Sequence, residues 1–193
     1  MIDLILQNFR MHVALSEQEA ALVTSAFQYR KVRKNQLLVE PPYPANTEHF
    51  IVSGCLRIYY LDSDGVAHNI AFGVEGWWLT DLQSFFTGNA SKYHVEALED
   101  SEVFIITKER WEDLLIQIPS LNIYFRKLYQ NSIIAQNDRL LNMISTKADE
   151  RYLRFIKKYP TLENRLPQYH IASYLGVTPV FLSKIKARLS SKH

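Results

Sequence analysis

A chain of 193 residues, 47% apolar and 22% charged, can bury one sizeable domain and a small one beside it without a metal or disulfide to hold them. Its single cysteine, Cys55, excludes an internal disulfide and any four-cysteine zinc or iron–sulfur site built within one chain, and is expected to be a buried thiol. No apolar run approaches the ~20 residues of a membrane span, so no membrane partner is expected, and the net charge of +2 is too small to name a partner by itself.

From Met1 to Leu15 the chain carries Asp3 and His12 and no small-residue cleavage site, which does not read as a signal peptide; a cytoplasmic protein is expected. Residues 3–26 read as a helical lead-in, with Ser16 and Glu19 spaced as a capping box. From Phe27 to about Thr107 the signals shorten to period two. FQYRKVR, QLLVE, EHFIVSG, CLRIYYL and VAHNIAF alternate or run apolar between turn residues, predicting an antiparallel β domain. Asp62-Ser63-Asp64-Gly65 is a hairpin signal, because Asp-Gly tolerates the positive φ of a tight turn. Pro41, Pro42 and Pro44 break the pairing before Glu48.

Thr107 is spaced as the N-cap of a helix to about Gln117. Pro119 and Ser120 then open a long helical stretch to about Ile144 whose length and two-sided apolar pattern fit a dimerisation helix, with Leu121, Tyr124, Phe125, Leu128 and Ala135 as its candidate residues. Asn131, Gln136, Asn137, Asp138 and Arg139 interrupt a strict heptad, and the alternative is a helix packed on its own β domain. Residues 146–159 form an amphipathic helix ended by Pro160.

The strongest local signal is QYHIASYLGVTPVFLSKIKARL, residues 168–189. A helix-turn-helix needs a small residue where its two helices cross and a glycine where the turn goes left-handed, and Ala172 and Gly176 stand at that spacing. Ile171, Leu175, Val177, Leu182 and Ile185 fall where the two helices bury each other. Thr178 is a good N-cap and Pro179 a favoured first helical residue, so a recognition helix is expected to begin there. The candidate DNA-binding residues are Gln168, Tyr169, Thr178, Pro179, Val180, Phe181, Ser183, Lys184, Lys186 and Arg188, with Ser183 and Lys184 aimed at base edges. No acidic residue follows Glu163, whereas Arg165, Lys184, Lys186, Arg188 and Lys192 do, giving the basic face that phosphate binding needs.

With these motifs, nearly the whole chain resembles the bacterial Crp/Fnr family. HFIVSGCLRIYYLDSDG is similar to the family's strand, glycine turn, strand and hairpin, and EGWWLTDLQSFFTGNASKYHVEALEDSEVF, ERYLRFIKKYP and ASYLGVTPVFLSKI to a branch common in Bacteroidetes-type bacteria. The resemblance implies an α+β fold: residues 1–118 a cyclic-nucleotide-binding-like β-roll with flanking helices, 119–145 the dimerisation helix, and 146–193 a winged-helix-like helix-turn-helix. It implies a homodimeric transcription regulator of double-stranded DNA, with RNA polymerase as partner if the protein activates. Cyclic-AMP-binding members use a Gly-Glu pair for the ribose and an Arg before Ser or Thr for the phosphate. Here Thr80-Asp81 and Ser91-Lys92-Tyr93-His94 stand in those places, and a lysine lacks the bidentate guanidinium geometry. No cofactor is expected, therefore, and cyclic AMP or GMP is not the expected effector.

An unidentified effector would sit near Trp77, Trp78, Thr80, Asp81, Ser91 and Lys92, with Gly73, Gly76, Gly88, Phe85 and Phe86 as further candidates for an apolar pocket or for plain packing. Early Arg and Glu of the family's recognition helix are here Pro179 and Val180, with Lys184 for the later Arg, so the family's usual target sequence is not expected. Between Tyr159 and Pro167 there is too little chain for a full winged hairpin, so a reduced wing is expected. An enzyme is disfavoured: His12, His49, His68, His94, His170 and His193 never approach cupin metal spacing, and no nucleophile elbow or phosphate loop is present. The remaining alternative is a ligand-binding or protein-interaction module whose helix-turn-helix no longer reads DNA, since Val180 and Phe181 could meet thymine methyls or a protein equally well.

Overall fold

The structure is a computed structural model that describes residues 2–190, so Lys192 and His193 lie outside the described residues. Its strands are β1 (Gln28–Val32), β2 (Leu37–Val39), β3 (Thr47–Ser53), β4 (Leu56–Leu61), β5 (Ala67–Gly73), β6 (Trp78–Leu79), β7 (His94–Ala97) and β8 (Ser101–Thr107). They form two antiparallel sheets, ordered β1-β8-β3-β6 and β2-β7-β4-β5. Helices α1 (Ile2–Arg10) and α2 (Glu17–Ala26) precede the sheets, and α3 (Leu82–Thr87) lies between β6 and β7. After β8 come α4 (Lys108–Gln117), α5 (Leu121–Ser145), α6 (Ala148–Lys158), α7 (Leu162–Arg165), α8 (Gln168–Leu175) and α9 (Pro179–Ser190). The fold is α+β, as expected.

Three buried clusters explain this arrangement. Ile51, Leu56, Leu79, Val95, Val103 and Ile105 meet between the two sheets. Phe50 and Phe104, one residue away on the same strands, point out of the sandwich and pack with Phe9, Trp111, Tyr124 and Phe125 from α1, α4 and α5. Both faces of the first sheet are thus covered, which is why EHFIVSG runs apolar instead of alternating. The third cluster joins Phe72 of the edge strand β5 and Leu98, just past β7, to Phe155, Tyr159, Leu175 and Ile185 of the C-terminal helices.

Local signals set the boundaries. Ser16 caps α2 in a reciprocal box with Glu19, and Thr107 caps α4 through the Arg110 amide at 3.3 Å. Asp62 closes the β4–β5 turn by accepting from the Asp64 and Val66 amides at 3.0 and 2.9 Å, with Gly65 at φ 78°. Gly54, at φ 98°, lies so close to Ser101 that a Cβ there would sit 2.8 Å from the Ser101 Cα. Helix α7 fills the stretch where a full wing was not expected.

The long helix corrects the sequence reading. Leu121, Tyr124 and Phe125 are buried in the chain's own core, Leu128 packs against that core, and Ala135 faces α6 and α8 across a cleft. The most exposed apolar residues of α5 are instead Ile133 and Ile134 at 58%, Leu140 and Leu141 at 62% and Ile144 at 78%, ahead of Ile123 and Met143. Helix α5 leaves the core after its second turn, so one face serves the β domain early and another is left bare later.

Candidate nucleic-acid interface

Helices α8 and α9 meet at a tight turn. Gly176 adopts φ 66° and ψ 39°, and the Val177 amide donates to the Ala172 carbonyl at 3.0 Å. The Thr178 hydroxyl accepts from the Phe181 amide at 3.2 Å and caps α9, which starts at Pro179. Ile171, Ala172, Leu175, Leu182 and Ile185 are buried together, and Val177 packs against them. Tyr169, Val180 and Phe181 are exposed, as are Gln168, Thr178, Pro179, Ser183 and Lys184. The Ser183 hydroxyl donates to the Gln168 side chain at 3.2 Å, tying the start of α8 to the face of α9.

Charge at this face is smaller than the sequence count suggests. Lys186 is half-buried and pairs with Glu163 at 2.8 Å, Arg188 pairs with Asp149, and Arg165 bridges Glu75 and Glu99 across to the β domain. Lys184 keeps its ammonium in water, with no ion pair among the described residues. The sequence could not reveal this, because each carboxylate lies far along the chain or on another helix.

The helix pair is docked through α8 onto β5, the edge strand of the second sheet. Ser173 accepts from the Asn69 amide and donates to the Ala67 carbonyl, both at 2.9 Å, satisfying an edge that would otherwise be bare. The Asn69 side chain donates to the His170 carbonyl at 2.9 Å and accepts from Arg57 at 3.0 Å. Arg57 also donates to His170 Nδ1 at 3.1 Å and to Glu96 at 2.7 Å. Burial, reinforced by the Arg57 charge, lowers the His170 pKa to about 4, so the ring is neutral and its Nδ1 can accept.

A second feature is a half-open pocket of about 270 Å³ between the second sheet, β6 and α5. Of the residues expected at an effector site it brings in Trp78, Thr80 and Asp81. Ser91 is buried behind it, donating to Asp81 at 2.7 Å. Trp77 and Lys92 do not line it: Trp78, at the start of β6, reaches Tyr124, whereas Trp77, in the turn before it, packs on Tyr159, and Lys92 is exposed in the turn before β7. Gly73, Gly76, Gly88, Phe85 and Phe86 are also outside it; Phe85 is core. Asp81 is already engaged, capping α3 through the Ser84 amide at 3.2 Å.

The pocket's unread member is Glu48, 1% exposed and accepting from the Tyr129 hydroxyl at 2.9 Å. A lone glutamate in the apolar run EHFIVSG was the available signal. Burial raises its pKa to about 7, so the unfolded chain ionises first as pH rises from 4.5 and the folded state is increasingly penalised up to about pH 7. Glu48→Gln is therefore expected to stabilise the chain by about 1–3 kcal/mol at pH 8 and by almost nothing at pH 4, measured by denaturant unfolding at both. Among the described residues no lysine or arginine lines this pocket, and Cys55, fully buried with its thiol pushed to about 12, is unreactive.

Residues 29–117 match the cyclic nucleotide-binding domain family. Over 188 residues the chain is 27% identical to the fumarate and nitrate reduction regulatory protein of Vibrio cholerae, covering 90% of this chain and 74% of that protein. The fold is similar to FixK2 of Bradyrhizobium japonicum, with a TM-score of 0.74 at 20% identity over 86% of this chain and 85% of that one. It is also similar to a transcriptional regulator of the crp/fnr family from Eubacterium rectale, with a TM-score of 0.70 at 16% identity over 92% and 85%.

Proposed function

We propose that this chain is a transcription regulator of the Crp/Fnr type, two copies of which pair along α5 and present their α9 helices to successive major grooves of one DNA duplex. The observation that carries this reading is the capped start of α9, where Val180, Phe181, Ser183 and Lys184 stand exposed on a helix whose opposite face is buried. Residues 1–118 then act as the sensor, 119–145 as the pairing helix and 146–193 as the DNA reader, in the cytoplasm. With half-sites about 34 Å apart, the operator is near-palindromic.

Lys184→Ala is expected to cost about 1–3 kcal/mol on the preferred site and to relax preference at one base pair per half-site. Fluorescence anisotropy against single-base operator variants measures this; equal weakening on every sequence would assign Lys184 to phosphate instead. Binding should weaken with salt at a log–log slope of about −0.9 per phosphate contact, and a flat response would favour a protein-interaction module.

The inner pocket is the effector site in this reading. Glu48 and Asp81, with no lysine or arginine lining the pocket among the described residues, disfavour a phosphate, so the effector is neutral or cationic. Calorimetric titration with cyclic AMP and cyclic GMP is expected to give no saturable heat at micromolar concentration; saturable binding there would overturn the assignment.

A further inference from the structure

A second cleft, also about 270 Å³, opens where the C-terminal half of α5 meets α6 and α8. Four cations line it, Arg139, Arg151, Arg154 and Lys158, against one carboxylate, Asp138. None of the four is in an ion pair among the described residues, whereas the neighbouring Arg57, Arg165, Lys186 and Arg188 each hold a carboxylate. Their partners are backbone oxygens and rings instead. Arg139 donates to the Asn69 and Tyr174 carbonyls at 3.0 and 3.2 Å and lies 4.5 Å over the Tyr174 ring, while its Nε is buried without a partner. Arg151 donates to the Leu175 and Thr146 carbonyls at 3.1 and 2.7 Å. Lys158 leans on the Tyr159 and Trp77 rings. Arg154 is exposed at the mouth.

Gathering four positive charges around one cavity is unfavourable unless something negative enters it, and a buried guanidinium N–H with no acceptor adds to the cost. Partial loss of hydration beside the Tyr159 and Trp77 rings and the Arg139 charge together lower the Lys158 pKa, in keeping with that repulsion. Its α5 cation is also off the expected pairing face: at about 100° per residue, Arg139 lies more than a quarter turn round α5 from Ile133, Ile134, Leu140, Leu141 and Ile144, while Asp138 borders Ile134.

We infer that this cleft is a ligand site for a small organic polyanion, whose phosphate or carboxylate groups meet the guanidinium forks and whose apolar body lies on Phe155 and Tyr174. A ligand there would touch α5, α6 and α8 together and so fix the C-terminal helices against the long helix. The binding claim stands apart from DNA recognition; only this regulatory consequence rests on that reading.

The test is calorimetry on the full chain with pyrophosphate and, separately, citrate, each against sodium chloride of equal ionic strength. Saturable binding by at least one, with Kd below about 1 mM, is expected, and the tighter of the two names the anion class. Arg154→Ala and Lys158→Gln, both at exposed positions, should each weaken it about tenfold or more, while Lys31→Ala on β1 should not change it. Heat no greater than with chloride, or equal affinity in both cleft variants, overturns the site. So does loss of DNA affinity and salt slope in Arg154→Ala without anion binding, which would make these side chains DNA-phosphate contacts.

Discussion

Leu140→Asp combined with Leu141→Asp is expected to leave a folded chain that is monomeric and binds a two-half-site operator about 10²–10⁴-fold more weakly. Both leucines are 62% exposed and neither belongs to a buried cluster, so aspartate costs the single chain little. Together with Ile133, Ile134 and Ile144 they form an apolar strip on α5 whose exposure to water marks an interaction surface. In the proposed dimer, pairing would bury the strip and link two DNA readers, so the second half-site would be bound at an effective concentration near the millimolar range. Sedimentation velocity reports the loss of the dimer and anisotropy the loss of affinity. Retention of the dimer in the double variant would place the interface elsewhere.

Arg57→Ala is expected to cost about 3–5 kcal/mol, because it removes one partner of a largely buried pair and leaves the other charged. The side chains of Arg57 and Glu96 are 11% and 12% exposed, and Arg57 also feeds Asn69 and His170. The loss should be local. Hydrogen exchange is expected to quicken in α8 and along β5 while β3 and β8, in the sandwich core, stay protected; uniform quickening would mean that Arg57 supports the whole β domain instead. Acid should work in the same direction. His170 and the buried His49 both have pKa values lowered to about 4, so between pH 6.5 and 4 the unfolded chain takes up protons that the folded one refuses, and stability falls.

Features set by near neighbours were legible in the sequence. Ser16, Thr107, Thr178 and Gly176 act within four residues of themselves, and each stands where its type and spacing place it. The expectation of an α+β Crp/Fnr-type regulator rested on several such motifs at once. What was not legible depends on distant partners. The ion pairs that take up Arg165 and Arg188 join residues far apart in the chain, so counting basic residues overstated the free charge near α9. Helix α5 is apolar on two sides, and periodicity alone could not say that Leu121, Tyr124 and Phe125 serve the core while Leu140 and Leu141 are bare. The inner pocket joins Glu48 to Tyr129 across 81 positions, and the four cations of the outer cleft come from two helices, α5 and α6.

The most direct test of the central claim is to select bound sequences from a random duplex pool with the purified chain at physiological salt. The account predicts a two-fold-symmetric motif with half-sites one helical turn apart, lost in the Leu140→Asp, Leu141→Asp chain. Enrichment of no motif at all, with the inner pocket empty or supplied with neutral and cationic candidates, would contradict it and turn α9 towards a protein partner.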